Sequence, residues 1–459
     1  LDGRALPVAV LDAIGEMLAF SPLEPRFAGL DRLRELCRAD SLSRFAWDLF
    51  EAWLVAGAAN KEAWAFHALA HLGDEDAARR LARLIRGWPS EGASARAASG
   101  LDVLAAMGSE VALMLLHGIA QKVKSKPLQE KARAKIEQLA LAQGLSAEDM
   151  ADRLVPDLGL DDNGSLLLDF GPRQFRVGFD EHLKPLVYAA DGSPLKDLPA
   201  PLKSDDAERS AQATARYKGL KKDVRTLGSQ QIQRLERAMI EGRRWRADAF
   251  RRCFVEHPLL RHLSRRLLWA RYAEGQCLGG FRVAEDLSYA NAQDDLLVLD
   301  DSAEVGIVHP LQLSPADAAA FGQIFADYEI LQPFAQLGRE VYRMGETELD
   351  AEDLPRCAGR TLPTLAVFAL QGRGWQHEGD TDGGNISSLR CALGDHAAEL
   401  DFSPGYIVGN PRSEPKQTLH GLRLSRAGGW ATPAGARWRD VDPVRLSEML
   451  RDVEKMLAT

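Results

Sequence analysis

Two groups of side chains have the residue types that acid/base chemistry needs. Arg282, Glu285 and Asp286 sit together in F-R-V-A-E-D, and His309 is followed by Asp327, Glu329 and Gln332 in the H-P and D-Y-E-I-L-Q-P-F segments. Carboxylates and a histidine converging in a cleft would make a general acid/base set. Spacing alone does not show convergence, and charged residues in strands and at helix ends more often form internal ion pairs. Cys253, His257, His262 and Cys277 combine sulfur and imidazole, donors that suit zinc, with the first two four apart on one helix face. Pro258 disturbs the helix beside His257, so no metal is expected; a buried thiol with capping or surface histidines is the plainer arrangement. Asp380, Asp382 and Asn385 imitate the start of a calcium loop, but Gly384 at its fifth position and Cys391 at its twelfth exclude an EF-hand.

A basic segment carries a different chemistry. Between Lys203 and Ala270 there are 17 Lys/Arg against 8 Asp/Glu, which leaves −18 on the rest of a chain whose net charge is −9. Lys218, Lys221, Lys222 and Arg225 cluster at helical spacing, and Arg234, Arg237 and Arg244 are expected on the side opposite Leu235 and Met239. With Tyr217, Trp245, Trp269 and Tyr272 nearby, this is the mix that binds nucleic acid by phosphate contact and base stacking. The same cations could dock an acidic protein or be neutralised by this chain's own carboxylates, and the tryptophans could be core.

The elements that must position these residues divide into four stretches. Residues 1–152 are rich in Ala and Leu with helical periodicity, as in Leu104, Met107, Val111 and Met114. Breaks at Gly73-Asp74, Gly108-Ser109 and Gly144-Leu145-Ser146 recur after 35 and 36 residues, the period of a stacked helix-pair solenoid. Residues 153–202 read as a small antiparallel β region and a connector, with Leu166, Leu168 and Phe170, then Phe175, Val177 and Phe179, in alternation and Pro199 and Pro201 in the extended connector. Residues 203–276 read as the basic helical segment. In 277–459, strands are expected near Phe281–Val283, Leu296–Leu299, Val305–Val308, Glu399–Phe402, Tyr406–Val408 and Thr418–Leu424. Helices follow Ser314-Pro315 and Asp442-Pro443. The expected class is α+β: an N-terminal α-solenoid, a small antiparallel sheet, a basic helical segment and a mixed C-terminal part.

At 459 residues, 46% hydrophobic and 27% charged, with five cysteines and no apolar run near membrane-spanning length, the chain reads as a globular protein of a reduced, cytoplasmic compartment without membrane contact. Leu1 is not an initiator methionine and no signal peptide follows, so an upstream part of a longer polypeptide is expected to be missing. No phosphate loop, dinucleotide turn, zinc helix, C-x-x-C pair or nucleophile elbow is present, which disfavours the common nucleotide enzymes and implies no cofactor.

From about Leu145 onward the sequence resembles the bacterial molybdate-metabolism-regulator (MolR) family. The resemblance is carried by V-P-D-L-G-L-D at Val155, L-D-F-G-P-R at Leu168, R-R-W at Arg243, H-P-L-L at His257, F-R-V-A-E-D at Phe281, G-I-V-H-P-L at Gly306, D-Y-E-I-L-Q-P-F at Asp327 and S-E-M-L-R-D-V at Ser447. It implies a regulatory role and an upstream WGR module; Gly372-Arg373-Gly374-Trp375 has that module's letters in the wrong order. The expected function is a non-catalytic regulatory or scaffold component of a bacterial cytosolic system, with a protein partner and nucleic-acid contact through the basic helix. The alternatives are an enzyme acting on nucleotides or nucleic acids near Arg282, Glu285 and His309, and an adaptor for an acidic protein.

Overall fold

The computed structural model describes residues 6–123, 125–351, 353–377, 384–426 and 437–459. It forms two compact units, Leu1–Pro156 and Asp157–Thr459. The first is helical: α1 (Val8–Phe20), α2 (Ala28–Leu36), α3 (Ala39–Val55), α4 (Trp64–Leu72), α5 (Glu75–Gly87), α6 (Ser94–Met107), α7 (Glu110–Lys122), α8 (Lys126–Ala142) and α9 (Ala147–Arg153). Each break is capped as its residues dictate. Asp74 accepts from the Ala77 amide, Ser109 from Ala112, and Ser146 and Asp149 close a reciprocal capping box. Gly108 and Gly144 take left-handed conformations at φ 63° and 67°. Gly73 does not; there a Cβ would lie 2.4 Å from the Leu69 carbonyl oxygen, so close approach requires the glycine. From α4 onward each helix packs on its successor or its next-but-one neighbour, as α4 does on α6, α5 on α7 and α6 on α8. Phe50, Trp53, Phe66 and Trp88 interlock at the centre of the apolar core.

The second unit begins with β1 (Leu166–Asp169), β2 (Gln174–Phe179), β3 (Pro185–Ala189) and β4 (Pro194–Leu195), an antiparallel sheet in that order. Leu166, Leu168, Phe175 and Val177 point inward, as period-two alternation requires. The long helix α10 (Ala207–Glu241) follows. It ends where Gly242 turns left-handed at φ 69°. Helix therefore does not continue to residue 276: β5 (Trp245–Arg246), α11 (Ala247–Phe250), a π-turn at Arg251–Val255, α12 (Arg261–Ser264) and β6 (Leu268–Ala273) occupy that stretch. With β7 (Gln276–Val283), β8 (Tyr289–Ala290), β9 (Leu296–Leu297) and β10 (Glu304–Ile307) they build a sheet ordered β5-β10-β6-β7-β8-β9.

After α13 (Pro315–Asp327) come α14 (Glu346–Leu349), β11 (Asp353–Leu354), β12 (Thr361–Pro363) and α15 (Thr364–Phe368). A third sheet, β11-β15-β14-β13 with β12 also on β15, is made by β13 (Asn385–Leu393), β14 (His396–Ile407) and β15 (Lys416–Arg426), and α16 (Pro443–Leu457) packs on it. The two strands expected at 399–402 and 406–408 are one strand, β14, whose register against β15 shifts between Asp401 and Phe402. The fold is mixed α and β, and every strand pair among the described residues is antiparallel. Among the described residues, no helix is long and apolar enough to cross a membrane.

A buried charge cluster ties the second unit together. Arg339 donates Nε and Nη2 to the two oxygens of Glu448, each at 2.6 Å, and Nη1 to Glu236 of α10 at 2.7 Å. His309, at the end of the β10 segment and fully buried, sits 3.2 Å from Glu448 Oε1. Beside them Gln336 bridges two adjacent backbones, donating to the carbonyls of Leu268 and Val308 and accepting from the Leu268 amide. Burial would raise the Glu448 carboxyl, but hydrogen bonds from Arg339 and His309 outweigh it and pull it down to about 2 from 4.5.

A carboxylate depressed in the folded state stabilises above its unfolded value and loses that contribution as pH falls. Glu448 should therefore supply about 3 kcal/mol at neutral pH, disappearing between about pH 4.5 and 2. Urea titrations should show an acid-side stability loss in this window that is smaller in Glu448→Gln. Arg339→Met, which strands the buried carboxylate, should cost about 3–5 kcal/mol at pH 7.

Candidate functional site

The basic face is built on α10. Asp206 caps the start by accepting from the Arg209 amide, and no proline interrupts the next 35 residues. Tyr217, Leu220, Val224, Gly228, Gln231, Leu235 and Ala238 form the buried stripe. Gly228 lets Leu183 pack close: a Cβ there would lie 2.7 Å from Leu183 Cδ1, so that side chain would have to shift. This leaves Lys218, Lys221, Lys222, Arg225 and Arg237 exposed, while Arg234 is half-buried and donates to Gln231. Lys221 lies 3.4 Å from Asp197 and 4.4 Å from the Tyr217 ring centre. Lys218, Lys222, Arg225 and Arg237 have no carboxylate partner among the described residues.

Two expectations for this face need correction. Arg244 does not share it: it lies past the Gly242 cap, its guanidinium 3.4 Å from the Tyr272 ring centre. The four aromatics are also not offered to a base. Tyr217, Trp245, Trp269 and Tyr272 are buried at 5% exposure or less. Their polar ends are spent, with Tyr217 donating to Asp197, Trp269 to the Ser264 carbonyl and Tyr272 to Gln312.

A cleft of about 770 Å³ in the second unit gathers several acid/base candidates. Arg282, Glu285 and Asp286 reach it from the end of β7 and the β7–β8 turn, and Glu329 from the segment after α13, at a left-handed φ of 53°. Asp294 and Tyr328, which spacing did not single out, complete the centre. Arg282, 7% exposed, gives Nε and Nη2 to Asp294 Oδ1 at 3.1 and 2.7 Å, and Tyr328 donates to Oδ2 at 2.9 Å while its ring lies over the guanidinium. The Arg282 hydrogen bond is the largest influence holding Asp294 below the usual carboxylate range. Asp286 is likewise held low, first by the Ser288 hydroxyl and amide. Burial pushes His262, in the cleft wall, down to about 4. A neutral imidazole among ionised aspartates can bind and orient polar groups; Asp286 and Asp294 cannot serve as proton donors near neutral pH.

The remaining candidates lie elsewhere. His309 is committed to Glu448 and does not line the cleft, and Asp327 accepts from Gln323 at the end of α13. Gln332 donates to Gln336 and accepts from the Leu337 amide. His257 Nδ1 accepts from the amides of Leu259 and Leu260, the capping role expected of it. Among the described residues no three His, Cys, Asp or Glu side chains could hold a metal. Asp380 and Asp382 lie outside the described residues; Asn385 donates to the Pro404 carbonyl.

A family model described as a domain of unknown function (DUF4132) matches residues 192–375, spanning α10, the second sheet and the cleft residues from Arg265 to Leu331. The chain is also 41% identical over 419 residues to the uncharacterized protein YehI of Escherichia coli (strain K12), covering 91% of this chain and 34% of that protein. The chain thus spans about a third of the length of the curated relative it matches. No solved structure matches it. These findings overturn the resemblance to the MolR family and its WGR association: the motifs quoted for it fall in a sequence similar to DUF4132 and YehI.

The Arg282 network makes a local prediction. Asp294→Asn should lower stability by about 1–3 kcal/mol in urea titration, because it leaves a buried guanidinium without its anion. Tyr328→Phe, at a residue 57% exposed, should cost less than Asp294→Asn.

Proposed function

We propose that this chain is a non-catalytic regulatory or scaffold component of a bacterial cytosolic system, which contacts nucleic acid through the exposed cations of α10 and a protein partner through its helical unit. The observation that carries the reading is the set Lys218, Lys222, Arg225 and Arg237, exposed and without carboxylate partners among the described residues. A chain with surplus acid elsewhere that leaves these cations unneutralised retains a local field for phosphates. In this reading the first unit is a helix-pair solenoid: the 35- and 36-residue recurrence of capped breaks and the packing of α4 on α6, α5 on α7 and α6 on α8 support it, and such stacks offer long faces to protein partners.

Fluorescence anisotropy with mixed-sequence DNA and RNA across a salt series tests the contact. Lys218→Glu, Lys222→Glu, Arg225→Glu and Arg237→Glu together should weaken binding at low salt more than tenfold, with unchanged circular dichroism because all four side chains are exposed. Absence of salt-sensitive binding by the unaltered chain would leave an acidic protein as the occupant of this face.

The cleft supports a second reading, an enzyme acting on nucleotides or nucleic acids, because it brings Arg282, Glu285, Asp286 and Glu329 to one cavity. Turnover of a nucleotide by the purified chain, lost in Glu285→Gln without a change in unfolding midpoint, is the result this reading requires. Glu285 is suited to the test, since its side chain is 95% exposed and its one ion pair among the described residues, to Arg265, is 3.4 Å long.

A further inference from the structure

Resting on the α10 reading above, we infer that this surface holds the backbone of a double-stranded nucleic acid and does so without reading sequence. The argument starts from what the surface lacks. Binding to single strands generally combines a basic groove with aromatic platforms on which bases stack. The four aromatics that the sequence sets beside the basic residues are withdrawn: Tyr217, Trp245, Trp269 and Tyr272 are core residues. Arginines already occupy the faces of two of these rings, Arg243 over Trp245 at 4.9 Å and Arg244 over Tyr272 at 3.4 Å. The free cations stand on solvated helix surface, with no described aromatic among the outward-facing residues of α10. Such a surface can recognise charge and its spacing but not a base.

The spacing is that of a rigid surface: at 3.6 residues per turn Lys218, Lys222 and Arg225 lie within about 60° of one another and Arg237 about 100° round from Lys218, all exposed. A helix rises about 1.5 Å per residue, so Lys218, Lys222 and Arg225 cover about 10 Å and Arg237 stands about 28 Å from Lys218. Phosphates along one strand of a duplex repeat every 3.4 Å or so of axis, and a full turn takes about 34 Å. Along the helix axis the set thus fits within the length of one turn of a duplex whose phosphates are already fixed. A flexible single strand would have to be straightened to meet the same four charges, and that ordering costs affinity which no stacking returns.

The test uses this chain with two mixed-sequence DNA duplexes of unrelated sequence, an RNA duplex, and one matching single strand, by anisotropy between 50 and 200 mM salt. The two DNA duplexes should bind within about twofold of each other, both duplex types should bind more tightly than the single strand, and four phosphate contacts should give about a 150-fold loss on DNA over this salt range. Binding of the single strand as tight as that of the duplexes, or a tenfold preference between the two DNA sequences, would overturn the inference while leaving nucleic-acid contact by α10 intact. Weakening by Tyr328→Ala, which removes the exposed tyrosine of the cleft, would overturn it too by revealing a stacking contribution. No binding to any probe would instead remove the α10 reading on which the inference rests.

Discussion

The second unit depends on a buried carboxylate that must remain charged. Glu448 projects from α16, and its oxygens are claimed by Arg339 and His309. Arg339 also reaches Glu236 on α10, so one guanidinium fixes the C-terminal helix against the basic helix. Four segments far apart in sequence meet at this point: α10, the end of β10, the irregular chain around 339, and α16. An ion pair with both partners under one-tenth exposed is weak evidence of net stabilisation, since an apolar replacement can do as well. Its consequence is specificity of placement. If any segment shifts, a buried charge is left uncompensated, so the alternatives are costly even where the native arrangement gains little.

That constraint shapes the exposed surface. Glu236 is one of four acids on α10, and its use inside the structure removes an anion that could otherwise have neutralised a neighbouring cation. Asp197 takes Lys221, Asp169 takes Arg209, and Asp205 is consumed by Arg173. What remains on the solvent side is a positive surplus set by which carboxylates the fold has already engaged. Gln336 acts similarly for the sheet: where β6 begins and β10 ends, its amide takes the Leu268 amide and the Val308 carbonyl beside the one backbone bond made there, from the Val308 amide to the Leu268 carbonyl at 3.2 Å.

The sequence disclosed what is local. The inward alternation of Leu166, Leu168, Phe175 and Val177, the Asp442-Pro443 start of α16 and the caps at Asp74, Ser109 and Ser146 follow from spacing of two, from fixed φ and from side-chain oxygens beside free amides. The cleft was legible only in part. Arg282, Glu285 and Asp286 are neighbours in the chain, so their proximity needed no folding. Asp294 and Tyr328 join them across turns whose closure no periodicity records, and His309 goes instead to a glutamate 139 residues away. Arg244 leaves the basic face for a simpler reason: helical spacing holds only as far as Gly242, whose left-handed conformation ends α10 two residues earlier.

Charge segregation along the chain and charge exposure on the molecule are separate quantities. Of the cations between Lys203 and Ala270, Arg209, Arg246, Arg251, Arg252 and Arg265 meet carboxylates, while Arg261 and Arg266 donate to backbone carbonyls. Arg244 lies on a ring. Most of these cations are therefore engaged within the chain, and Lys203 with Lys218, Lys222, Arg225 and Arg237 of α10 make up the remainder that has no partner among the described residues. A field from so few charges falls away within a Debye length of about 8 Å at physiological salt. Contact through it must be short-ranged and salt-sensitive. Net charge describes this chain as a whole as repelling a polyanion; at contact distance from the α10 surface the local sign outweighs that total.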